Sequence, residues 1–125
     1  MSSESIVQQL YRSIMQEHRH PDDVARLEVH GNRVVGSHLV PGLTVEADET
    51  DDGIEAEIVV QEGAVIPKPV QMCFGLLPEK GLQHIVIRAH IHPEARVDVI
   101  AHCTFPNAVE VEHRMDAEIV VEEGA

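Results

Sequence analysis

The 125-residue chain has no tryptophan, one tyrosine and two phenylalanines, so large rings do not organise its core. Basic residues are scarce too: nine Lys and Arg stand against 22 Asp and Glu, for a formal net charge of −13. Such a surface repels phosphate backbones, which argues against a nucleic-acid partner. No apolar run approaches the ~20 residues of a membrane-spanning helix, and no basic-then-apolar leader follows Met1. The only two cysteines, Cys73 and Cys103, make no disulfide framework, so a reducing, cytoplasmic setting is expected. Phosphate loop, nucleotide fingerprint, Cys-x-x-Cys, nucleophile elbow and His-Glu-x-x-His are all missing, so no conventional enzyme is expected.

What is present is a mass of Val, Ile, Leu and Ala in patterns that change along the chain. Ile6, Leu10 and Ile14 recur every four residues, with Val7 on the same stripe, and predict a helix from Ser2 to Arg19. Ser2 or Ser3 caps its start and Pro21 stops it. From Leu27 the apolar residues alternate and Gly, Pro, Asn and Asp punctuate them. Strands are expected at Arg26–Val29, Arg33–Ser37, Leu43–Ala47, Ile54–Val60, Val70–Phe74, His84–Ile91, Val97–Cys103, Val109–Met115 and Glu118–Val121. Residues 1–21 thus form an amino-terminal helical segment and 22–125 a β domain.

The most informative feature is a repeat. Ala56-Glu-Ile-Val-Val-Gln-Glu-Gly-Ala64 returns as Ala117-Glu-Ile-Val-Val-Glu-Glu-Gly-Ala125, and Ile91-His-Pro-Glu-Ala95 lies midway. The anchors Val60, Ile91 and Val121 are evenly spaced, with one copy about every 30 residues. Such a period in a glycine-punctuated β sequence predicts a mainly all-β fold, a parallel β-helix whose thin coils leave little space for rings. An ordinary sandwich with two similar strands is the plainer alternative. Because the chain ends on a repeat position, we expect either a longer protein or another subunit to cover the last coil.

Strand parity sorts the candidate ligands. Val97, Val99, Ala101 and Cys103 share an inward face, and Asp98, Ile100 and His102 the other. Val109, Val111, His113 and Met115 face inward, while Glu110, Glu112 and Arg114 face solvent. Cys103 and His113 therefore share the inner side. A thiolate beside an imidazole can hold iron or zinc or accept sulfur. The plainer reading is a buried cysteine acting as a small hydrophobe beside a core histidine. Arg88, His90 and His92 share another face; a cupin-like small β-barrel enzyme would place a metal on His90, His92 and His102, but Arg96 stands where a Glu belongs, which favours a solvated basic patch. Cys73, on the parity of Gln71 and Gly75, is expected to be partly exposed.

Ile85-Val-Ile-Arg-Ala-His-Ile-His-Pro-Glu-Ala-Arg-Val97, Ala101-His-Cys-Thr-Phe-Pro106 and Ala108-Val-Glu-Val-Glu-His113 together resemble the SufB/SufD (SufBD) family, in its short form. The resemblance implies a right-handed parallel β-helix, a solenoid that is a non-catalytic scaffold for iron–sulfur cluster assembly. It implies pairing with a like subunit, as homo- or heterodimer, and docking on a SufC-type ATPase, whose helical docking segment is not among these residues. It also implies a transiently held iron–sulfur cluster. Glu112 and His113 match the family's late Val-Glu-His stretch, with Arg114 where long forms carry a second Glu. Cys103 is the thiol candidate and His102 a further metal ligand. The remaining alternative is a structural solenoid that only binds another protein.

Overall fold

The computed structural model describes residues 2–16 and 21–125. It is mostly β, with one short helix, α1 (Ser3–Ser13), before eight strands. These are β1 (Arg26–His30), β2 (Arg33–His38), β3 (Leu43–Glu49), β4 (Gly53–Val60), β5 (Val70–Gly75), β6 (Lys80–Ile91), β7 (Val99–Thr104) and β8 (Glu110–Val121). They form two four-stranded mixed sheets, ordered β2-β1-β5-β7 and β3-β4-β6-β8, and neither sheet closes. The small-barrel alternative therefore lacks its barrel.

The first pairings are antiparallel, β1 with β2 and β3 with β4. Gly31 and Asn32 join β1 to β2 in a two-residue turn whose first position has φ 61°, a conformation glycine adopts at little cost. All later pairings are parallel. Gly53 sits opposite His84, Val70 opposite Val99 and Lys80 opposite Glu110, so in these three pairs the register advances by the period of the sequence repeat, whereas β1 meets β5 at a longer offset, Arg26 opposite Gln71. Ile58, Ala89 and Ile119 consequently lie side by side on β4, β6 and β8. Three similar turns follow these strands: Ala64 N bonds Gln61 O, Ala95 N bonds His92 O and Ala125 N bonds Glu122 O, at 3.0, 3.2 and 3.1 Å. Their third positions, Gly63, Glu94 and Gly124, all have positive φ. Glu94 takes a conformation that L-residues rarely adopt.

The core lies between the inner faces of the two sheets. Leu27, Val29, Val70, Met72 and Phe74 from one meet Ile54, Ala56, Ile58, Val60, Ile85 and Ile87 from the other. Helix α1 covers the outer face of the first sheet, burying Val7, Leu10 and Tyr11 against Cys73 and Leu77. Gly75 permits this approach, because a Cβ there would sit 2.6 Å from Leu10 Cδ2. Beneath the helix, the fully buried Glu28 accepts from Tyr11 Oη at 3.3 Å and pairs with Arg26. A buried carboxylate is tolerable only with such partners.

Several expectations change. The helix ends at Ser13, well before Arg19; residues 17–20 lie outside the described residues. Gln16 N bonds Tyr11 O and Met15 N bonds Arg12 O, with Met15 at φ 60°. This is a Schellman ending, normally signalled by glycine, so the sequence carried no sign of it. The two predicted strands after Val109 are one, β8, because the long strand β6 templates pairing through Asp116. Cys73 is buried, not exposed, since α1 covers it. Cys103 has the inward parity of Phe74, its partner in register, yet it is exposed. No further described strand packs beyond β7.

Candidate functional site

Strand β7 carries Cys103 and strand β8 carries His113, and the connection over residues 105–109 brings both to one side. Cys103 Sγ lies 3.5 Å from His113 Nε2. The other ring nitrogen, Nδ1, is 3.0 Å from Oε1 of Gln83, its register partner on β6. Gln83 is fully buried, and its amide nitrogen donates to Gly31 O and Gly75 O at 3.0 and 3.1 Å. Both of its amide protons are thus engaged and Oε1 must accept, so Nδ1 of His113 carries the proton. The Nε2 lone pair is left facing the sulfur. Phe105 leans on the imidazole with ring centres 5.1 Å apart.

Desolvation shapes both groups. It holds His113 below the ordinary histidine pKa and pushes the Cys103 thiol above its own. The resting pair is a neutral thiol against a neutral imidazole, not a pre-activated thiolate. A cation changes that balance, because a coordinated thiol loses its proton. A tetrahedral ion with bonds of about 2.0 Å to nitrogen and 2.3 Å to sulfur holds those two atoms about 3.5 Å apart. The observed separation already meets that requirement. The donor set fits iron or zinc but supplies only two of the four ligands a cluster or closed site needs.

The other candidates are placed elsewhere. His102 pairs in register with Cys73, on the opposite face of the sheet from Cys103, and its Nε2 lies 3.4 Å from Gln16 Nε2. Glu112 alternates with His113 and faces outward, with Arg114 Nε 3.8 Å away. The structure therefore brings Cys103 and His113 together and leaves His102 and Glu112 apart from them.

A second cluster lies where β6 and β8 end. His90 and His92 are stacked with ring centres 4.1 Å apart. Glu122 Oε2 is 2.8 Å from His90 Nε2 and 3.0 Å from His92 Nδ1. The two histidines are thus tied to a carboxylate rather than separately solvated. Glu122 escapes a sequence reading that seeks the carboxylate within the same strand. The repeat held the signal, since aligning Ile91 with Val121 sets His92 beside Glu122.

Among curated proteins, the chain is 28% identical over 102 residues to an iron–sulfur cluster assembly SufBD family protein of Pyrococcus horikoshii, covering 82% of this chain and 31% of that protein. It is 25% identical over 130 aligned residues to an iron–sulfur cluster assembly SufBD family protein of Methanocaldococcus jannaschii, covering 100% of this chain and 41% of that one. The chain thus spans about a third to two fifths of the length of these relatives. No family model and no solved structure matches it. Both relatives are SufBD family proteins, and the chain is similar to them over most of its length. No helix among the described residues is long and apolar enough to cross a membrane.

Proposed function

We propose that this chain is a non-catalytic scaffold segment in iron–sulfur cluster assembly, working in a reducing compartment that keeps both cysteines as thiols. The observation that carries the reading is the Cys103–His113 pair, spaced 3.5 Å apart with the imidazole lone pair toward sulfur. The SufBD relatives support the cargo. An assembly scaffold must hold a cluster and then release it, so an incomplete donor set on a stiff frame suits it better than a closed four-cysteine cage. The missing ligands would come from a like subunit, and a SufC-type ATPase would be a further partner. Parallel pairing that advances by one repeat per lap supports reading the frame as a right-handed parallel β-helix, entered through the antiparallel pairs β1–β2 and β3–β4.

Anaerobic reconstitution with ferrous iron and sulfide tests this. The wild-type chain is expected to gain the visible absorption of a bound cluster. Cys103→Ser and His113→Ala should each remove most of it without altering the far-ultraviolet dichroism. Full-strength absorption without Cys103 would overturn the site, and no absorption in the wild type would favour a purely structural, protein-binding role.

A further inference from the structure

The His90–His92–Glu122 cluster is distinct from the Cys103–His113 pair. It sits at the far end of β8, roughly 30 Å along the strand from His113 at about 3.3 Å per residue. It also lies on the other face of the sheet, since the neighbouring Ala89 and Ile91 point inward and His113 shares their parity through Gln83. One ligand atom from each of the three residues falls within 4.8 Å of the others.

The backbone holds the three side chains in place. His92 N bonds Val60 O at 3.1 Å, and Glu122 N bonds Ile91 O at 3.0 Å, so both residues are anchored to the adjacent strand. The repeat shows that this position has changed character. Where His90 and His92 stand, the first copy has Val59 and Gln61, and the last has Val120 and Glu122. Only the middle copy places two imidazoles there, and only its neighbour supplies a carboxylate beside them. Two stacked imidazoles sharing one carboxylate oxygen form a donor set of two nitrogens and one oxygen.

We propose that His90 Nε2, His92 Nδ1 and a Glu122 carboxylate oxygen bind one divalent first-row transition ion of the zinc class, with water in the remaining positions. Bonds of about 2.0–2.1 Å at tetrahedral angles put ligand atoms about 3.3 Å apart. Glu122 Oε2, at 2.8 and 3.0 Å from the two nitrogens, has to open by only a few tenths of an ångström, while the two nearly parallel rings have to tilt out of their stack so that both nitrogen lone pairs converge on the ion. Each ring then offers that nitrogen as a lone pair and keeps its proton on the other one. All three side chains are between a third and a half exposed, which leaves room for water on the ion. The strongly acidic surface raises the local concentration of cations.

Calorimetric titration of the full chain with Zn²⁺ tests the proposal, in a Cys103→Ser background so that the thiol pair does not contribute. One ion per chain is expected. His92→Ala and Glu122→Gln should each weaken it at least about tenfold, whereas His84→Asn, which removes the His84–Asp116 pair farther along the same two strands, should leave it within about twofold. Co²⁺ should give visible ligand-field absorption that disappears in His90→Ala/His92→Ala, while thermal melts confirm that each variant is folded. Absence of a bound ion, or binding unchanged in both His92→Ala and Glu122→Gln, overturns the proposal. Because no cluster is involved, either result leaves the scaffold reading to its own test.

Discussion

Ala56–Ala64 and Ala117–Ala125 are nearly the same stretch of chain in opposite surroundings. In the first copy Ala56, Ile58 and Val60 are 1%, 8% and 0% exposed; in the second, Ile119 and Val121 are 63% and 58% exposed. Both copies adopt the same strand and the same turn, and both point the same residues inward. Strand β4 lies between β3 and β6 and shares the core with residues of β1 and β5, whereas β8 has β6 on one side and no described strand on the other. Local conformation is therefore written in the repeated stretch, and burial is conferred by the neighbours.

That contrast predicts the largest effect. Ile58→Ala should cost about 3 kcal/mol in urea unfolding, within the usual range for a buried isoleucine, and Ile119→Ala less than about 1 kcal/mol. Equal losses would show that the inner face of β8 is covered in solution.

The cysteines sharpen the same comparison across β5 and β7. Cys73, beneath α1, is pushed up to about 12 by burial first and then by the nearby Glu28 charge. Cys103 is raised by burial but remains at the surface. In the native protein a thiol reagent should modify Cys103 at least about tenfold faster than Cys73, as mass spectrometry of the labelled chain would reveal. Comparable rates would mean that α1 opens readily from the sheet.

The smallest effect concerns the three stacked turns. Glu94 occupies the positive-φ position that Gly63 and Gly124 fill in the other copies. Glu94→Gly should stabilise the fold by about 1 kcal/mol, read from the urea midpoint. A loss instead would indicate that the Glu94 side chain, packed where a Cβ on Gly124 would lie, contributes more than the turn strain costs.

Much of the frame was legible beforehand because strands alternate with period two and the turn chemistry recurs once per repeat. The strand positions, the inward parity of Cys103 and His113 and the lateral alignment of Ile58 with Ile119 all follow from those two periods. The helix end was not legible, because Met15 takes a left-handed conformation usually marked by glycine. The separation of His102 and Glu112 from the thiol pair was legible, because strand parity sets His102 on the face away from Cys103 and Glu112 on the face away from His113. The family resemblance drew them into the candidate site with Cys103 and His113, and strand alternation overrides it.

From its amino acids alone, this protein has a repeat length and a strand phase, both of which arise from short-range stereochemistry and spacing. Only the folded chain decided that α1 seals Cys73, that Gln83 aims the His113 lone pair at Cys103, and that Glu122 reaches both His90 and His92. Those outcomes depend on which segments, distant in sequence, share a wall of the core, and local preference carries no information about that.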